Sequence, residues 1–298
     1  MHHRKARLTL CAGAFALVAG VAAPAYAQSP APQNATAQHI TAHIAAADNA
    51  PAVFGRAAYL VDAATGKELF SKAADKRLPI ASITKVMTAY VVLENAKPTD
   101  IVRITSADVR HAEDGGATTA DLRPGDRVSV KELLYGLMLP SGADAAHALA
   151  RTYGPGVDAF TKKMNDTARA LGMRDTEYVN ADGLPGSGGD GYSTARDQAK
   201  LAAKALDKPL LKQVAGTRQH DVAGTSEHGS YSWTNTNKLL ANPGAIGLKT
   251  GFTRAAGFTL SFAGEQGGHR LVGVILGEEV SSRRFSTAQA LLDWASSR

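Results

Sequence analysis

The chain has 298 residues, a formal net charge of +6 and a single cysteine. That cysteine, Cys11, lies in an N-terminal apolar run, which excludes a disulfide framework and, once the run is removed, a thiol nucleophile. The basic residues are spread along the chain with no basic block, so a nucleic-acid partner is excluded too.

Residues 2–7 (HHRKAR) are basic, Leu8 to Ala23 is apolar, and Ala25-Tyr26-Ala27 has the small residues that a signal peptidase reads. This predicts a secretory signal, residues 1–27, cleaved after Ala27. The apolar run has 16 residues, short of the roughly 20 that a spanning helix needs, so no stable membrane anchor is expected. Leu10 precedes Cys11 where a lipid-attachment site would have a small residue. Cleavage removes Arg4, Lys5 and Arg7 and no acidic residue, halving the net charge of +6. The exported chain, extracytoplasmic and without cysteine, must be stabilised by core burial alone. Residues 28–52, rich in Ala, Gln, Pro, Thr and Asn, read as a flexible leader. The folded domain is expected over 53–298.

Residues 57–62 and 68–70 flank Ala63-Ala64-Thr65-Gly66, the pattern of a β-hairpin. Ser82 to Asn95 has helical apolar spacing and no Gly or Pro. Ile101 to Thr105 reads as a short strand, and Val130 to Leu139 as a helix ended by Pro140. Further helices are predicted from near Asp144 to Tyr153 and from Val157 to Leu171, the latter closed by Gly172. Asn180 to Gly191 holds five glycines and reads as a loop; Asp114-Gly115-Gly116 reads as another. A helix follows over Thr194 to Ala205, capped by Ser193 or Thr194. Strands at 245–253, 258–264 and 270–277 precede a terminal helix, Arg284 to Ser297. A hairpin, a helical middle, antiparallel strands and a last helix make an α+β fold, with helices packed on an antiparallel sheet.

Ser82 and Lys85 stand three apart, one turn along a helix face. A lysine amine can activate a serine if burial or a neighbouring cation lowers its proton affinity. A nucleophile at a helix N-terminus also has backbone N–H groups at hand for an oxyanion. Alone, S-x-x-K describes a capped surface helix better than an active site. Two further segments reverse that weighing. Lys249-Thr250-Gly251, inside a predicted strand, offers a cation and a hydroxyl for a carboxylate, and a glycine where a ligand can approach the backbone. Ser141-Gly142-Ala143, between two helices, offers a hydroxyl that can relay a proton. S-x-x-K together with K-T-G accompanies serine acyl transfer on penicillins and their targets.

In these segments the chain resembles the low-molecular-mass penicillin-binding proteins, the D-alanyl-D-alanine carboxypeptidase family of serine peptidases. The resemblance covers roughly residues 53–298. It includes Ile80 to Ala89, Leu137 to Ala145, Met164-Asn165, Leu171 to Met173, Ser193 to Asp197, Trp233, Asn235 to Asn237 and Gly247 to Thr253. It implies a β-lactamase-like fold, an antiparallel sheet with helices and a mostly helical subdomain. It further implies that Ser82 attacks the penultimate D-alanine carbonyl of a peptidoglycan stem peptide and that Lys85 is the base. Ser141 would return the proton to the leaving D-alanine, and Lys249 and Thr250 would bind the terminal carboxylate. The N–H groups of Ser82 and Phe252, beyond Gly251, would form the oxyanion hole. β-Lactams would acylate the same serine, and no cofactor or metal is implied. The second motif usually ends in Asn; Ala143 lacks that amide, which bears on deacylation and on the balance of hydrolysis and transfer.

A class A β-lactamase would need a glutamate placed as E-x-x-L-N, and Glu177-Tyr178-Val179-Asn180 is one residue short of it. A D,D-endopeptidase would share the acyl-enzyme, and a non-catalytic wall-binding protein would not need the intact serines and lysines. His39 and His43 have helical spacing but lie in the leader, and the other histidines are scattered, so no metal site is expected. Arg196 and Asp197 read as cap and scaffold residues, Asn235 and Asn237 as braces for the sheet.

Overall fold

The computed structural model describes residues 49–186 and 189–297. The predicted signal and almost all of the predicted leader lie outside the described residues. The chain opens with the expected hairpin, β1 (Ala57–Asp62) and β2 (Glu68–Lys72), turning through Gly66 at φ +72°. The Asp62 carboxylate accepts from the amides of Ala64 and Thr65 inside that turn. A helical stretch follows: β3 (Leu78–Pro79), a 3-10 turn (Ala81–Thr84), α1 (Lys85–Asn95), β4 (Ile101–Arg103), α2 (Ser106–Asp114) and β5 (Arg127–Ser129). Next come α3 (Val130–Met138), α4 (Ala143–Tyr153), α5 (Val157–Ala170), β6 (Tyr192–Ser193), α6 (Ala195–Leu206) and α7 (Pro209–Gly216). The ribbon β7 (Gln219–Val222) and β8 (Tyr231–Thr234) leads to β9 (Ala245–Thr253), β10 (Gly257–Gln266), β11 (His269–Glu278) and α8 (Arg283–Ser296).

Five strands form one antiparallel sheet in the order β2-β1-β11-β10-β9. Side chains alternate between its faces, as the two-residue period of a strand requires. Ala57 and Tyr59, with Val272, Val274 and Leu276, enter the large core shared with the helical subdomain. Ala58 and Leu60, with Leu260, Phe262, Leu271 and Ile275, pack against Ala288, Leu291 and Leu292 of α8. Gly273 lies across from Phe262, and a Cβ there would stand 2.3 Å from its ring, so the missing side chain is what admits the aromatic.

Helix α1 runs through the middle of the subdomain, packed by α3, α4, α5 and α6. Val86, Met87, Ala89, Val91 and Val92 are all buried, around its whole circumference, the pattern of a helix enclosed by other helices. The helix expected from Ser82 is in fact a 3-10 turn that becomes α-helical at Lys85. Helix α2 was not expected; it starts on a capping box in which Thr105 and Asp108 each accept from the other's amide. Nor was α7, which starts at Pro209, a residue preorganised for a first helical turn. Asn235 and Asn237 brace the chain beside the sheet rather than the sheet itself. Asn235 donates to the carbonyls of Ala215 and Thr217 at the end of α7, and Asn237 caps a 3-10 turn.

Candidate active site

The loop after β3 brings Ser82 to the surface of the subdomain at the foot of α1. Ser82 is half-buried, while Lys85, the first residue of α1, is 1% exposed. The Lys85 Nζ donates to Ser82 Oγ at 3.1 Å and to the Asp182 carbonyl at 2.8 Å. Burial pulls the amine down to about 8, against the opposing influence of the Asp182 and Asp144 carboxylates. Such an amine is neutral often enough to take a proton from a hydroxyl one hydrogen bond away.

The second wall is the break between α3 and α4. Ser141 sits there at φ +72°, left-handed backbone that a residue with a Cβ adopts only when its surroundings impose it. Its Oγ is buried and has no hydrogen-bond partner. The constraint comes from the neighbouring segment: Thr118 Oγ1 donates to the Ser141 carbonyl at 2.9 Å, and the Ala143 amide donates to the Thr118 carbonyl. The fully buried Asp144 carboxylate fixes that segment, accepting from the Thr119 hydroxyl and the amides of Ala120 and Leu122.

Strand β9 makes the third wall. A Cβ on Gly251 would stand 2.9 Å from the Ser82 nitrogen and 2.4 Å from the Thr259 hydroxyl. Only glycine lets this strand lie so close to the turn that carries Ser82. Thr250 Oγ1 is 2.7 Å from Thr236 Oγ1, and Phe252, 53% exposed, stacks on Phe258 with ring centroids 4.5 Å apart. These walls enclose a cleft of about 300 Å³ lined by Ser82, Lys85, Ser141, Thr250, Gly251 and Phe252, among others. Lys249 is the expected residue that does not reach its lining. Its side chain is 1% exposed and its Nζ donates to the Thr250 carbonyl. Burial, and behind it the charges of Lys85 and Arg284, hold that amine well below the usual lysine range.

Arg284, which sequence reasoning passed over as one residue of a terminal helix, does line the cleft. Its Nη1 donates to the Gly251 carbonyl at 2.9 Å and the Thr259 carbonyl at 3.1 Å, while its Nε is buried without a partner. Burial lowers it to about 10. None of the ion pairs among the described residues involves Lys85, Lys249 or Arg284. Arg284 therefore brings to the cleft a guanidinium without a carboxylate partner. Among the described residues no carboxylate lines the cleft; Glu177 pairs through its backbone with Tyr192 instead. Among the described residues no group of His, Cys, Asp and Glu is gathered to hold a metal ion.

A two-faced antiparallel sheet beside a helical subdomain, with a serine–lysine pair at the junction, defines an α+β serine hydrolase of the penicillin-binding type. The sequence profile of the D-alanyl-D-alanine carboxypeptidase family matches residues 44–280, and the chain belongs to that family. It is 37% identical over 257 residues to a D-alanyl-D-alanine carboxypeptidase of Streptomyces sp. strain K15, covering 82% of this chain and 88% of that one. A D-alanyl-D-alanine endopeptidase of Pseudomonas aeruginosa is 38% identical over 205 residues, covering 68% of this chain and 64% of its own. The crystal structure of the Streptomyces K15 DD-transpeptidase superposes with a TM-score of 0.78 at 37% identity, over 83% of this chain and 98% of that one. A carboxypeptidase structure from Mycobacterium tuberculosis H37Rv gives a TM-score of 0.78 at 31% identity, over 84% and 93%.

Proposed function

We propose that the chain is a serine D-alanyl-D-alanine carboxypeptidase acting on peptidoglycan stem peptides through a Ser82 acyl-enzyme. The observation that carries this reading is the 3.1 Å contact between Ser82 Oγ and a buried Lys85 amine with no carboxylate partner. Neutral Lys85 takes the Ser82 proton as Oγ attacks the penultimate D-alanine carbonyl. The developing oxyanion faces the amides of Ser82 and Phe252, on either side of the close approach at Gly251. The terminal carboxylate is held by Thr250 and Arg284, with Lys249 adding positive potential from beneath the strand. Ser141, whose hydroxyl lacks a partner, passes the proton to the leaving D-alanine nitrogen. Water then hydrolyses the ester, or an amine takes the acyl group in D,D-transpeptidation. The buried methyl of Ala143 leaves this step without a side-chain amide. β-Lactams acylate Ser82 by the same attack.

The reading includes export: residues 1–27 act as a cleaved signal, 28–52 as a leader and 53–298 as the catalytic domain, working outside the cytoplasm. Among the described residues no helix is long and apolar enough to cross a membrane. The test is incubation with a D-Ala-D-Ala peptide, with and without glycine as acceptor, beside a Ser82→Ala control. Release of D-alanine alone marks hydrolysis, a glycine-terminated peptide marks transfer, and neither product overturns the proposal.

A further inference from the structure

Behind Lys85, on the side away from the cleft, lies a chain of charged groups that the reaction described above does not use. The Asp182 carbonyl accepts from Lys85 Nζ, and the Asp182 carboxylate, 1% exposed as a residue, meets His111 Nε2 at 2.5 Å. Asp182 Oδ1 also accepts from the Leu184 amide at 2.9 Å. The loop carrying it is fixed by Asn180, whose Oδ1 accepts from the Gly183 amide and whose Nδ2 donates to the Leu184 carbonyl. Gly183, at φ +79°, presses on the nucleophile's turn: a Cβ there would stand 2.1 Å from the Ala81 carbonyl. This loop is thus a rigid plate between Lys85 and α2.

His111 belongs to α2 and stacks on His147 of α4 with ring centroids 4.6 Å apart. The His147 ring nitrogen Nδ1 is 2.7 Å from Asp108, which also accepts from Arg151. His111 and His147 line a second cavity, of about 650 Å³, together with Asp114, Asp158 and Asp182. Solvent protons therefore reach His111 without passing through the catalytic cleft.

We infer that His111 and Asp182 are a positioning pair for the catalytic base, holding the Asp182 carbonyl on Lys85 and offsetting a carboxylate charge that would otherwise keep Lys85 protonated. Three influences act on the Lys85 amine: burial disfavours its charged form, and the Asp182 and Asp144 carboxylates favour it. His111 answers the nearer carboxylate. Its imidazole is raised from the usual histidine value by the hydrogen bond it donates to Asp182, against burial and the Lys85 charge, with the Asp182 and Asp108 charges adding to the rise. An imidazolium there leaves Lys85 facing a neutral pair.

The inference rests on the Ser82–Lys85 reading, and one experiment separates the two. The rate of Ser82 acylation by a fluorescent penicillin is followed across pH for the parent chain, His111→Asn, Asp182→Asn and the double variant. The rate of the parent rises with pH through about 8 as Lys85 loses its proton. His111→Asn leaves the Asp182 charge bare, so its rising limb moves up by about one pH unit and acylation near neutral pH slows about tenfold. Asp182→Asn removes the charge itself, so its limb stays at or below that of the parent, and the double variant follows Asp182→Asn rather than His111→Asn. A His111→Asn limb that stays in place, or a uniform loss of rate without displacement, marks a merely structural pair and overturns the inference. A parent chain that Ser82→Ala shows is not labelled at Ser82 overturns the catalytic reading instead.

Discussion

Two buried charges in the helical subdomain are treated in opposite ways. Asp108 is fully buried and saturated: it accepts from Arg151 twice, from the Thr105 amide and hydroxyl, and lies against His147. Burial alone would raise it, yet the donors from His147, Arg151 and Thr105 outweigh that and hold it far below the usual carboxylate range. Lys85 is as deeply buried but has only a carbonyl and a hydroxyl for partners. Burial wins there, and the amine falls toward neutrality. A saturated buried charge is scaffold, whereas one left short of partners is reactive.

The sharpest break in that contrast is at Asp108. Asp108→Ala leaves Arg151 and His147 partly buried without their acceptor, and should cost about 3–5 kcal/mol of stability, read from denaturant unfolding. A smaller loss would mean that water replaces the carboxylate. For Lys85 the effect depends on pH. Its folded value lies below its ordinary one, so the unfolded chain binds the proton more tightly and stability rises as pH climbs from about 8 to 10.5. Relative to Lys85→Met, the parent should gain about 3 kcal/mol across that window, and parallel profiles would show that the amine is not depressed. The smallest effect sharpens the picture at the far end of the cleft. Arg284→Gln should raise KM for a peptide with a free terminal carboxylate about 30-fold, or about 2 kcal/mol. The same substitution should leave a carboxylate-free amide analogue nearly unchanged, and an equal loss on both would make Arg284 structural.

The parts of the site that are contiguous in sequence were legible there. Ser82-Ile83-Thr84-Lys85 lies on a single turn and Thr250 to Phe252 on one strand, so local spacing carries their geometry, whereas the burial of Lys249 away from the cleft was not legible. Ser141 was legible as a helix break after Pro140, though its left-handed backbone was not, because Thr118 imposes it from another segment. Arg284 sits in an ordinary helix, and only the packing of α8 behind the sheet delivers its guanidinium to Gly251. His111 and Asp182 are 71 residues apart and share no pattern. In the fold, the hairpin, the three long strands and most helices followed their periodicity closely. Helix α2 was hidden by its polar composition, although Thr105 and Asp108 spell a capping signal. Of the short ribbon strands only β4 was legible; the others owe their pairing to neighbours distant in sequence, and a run of two to four residues shows no period of its own.

The pairing of β1 with β11 sets Ala57 beside Leu276, so nearly the whole domain lies between two neighbouring strands. Contacts this distant along the chain form late, because a long loop must close before they reward it. Ser82 lies early in that intervening stretch, whereas Arg284 follows β11. A chain folded only as far as β10 would hold Ser82 and Lys85 but neither the closed sheet nor Arg284. Assembly of the cleft is thereby coupled to the meeting of two strands from opposite ends of the domain.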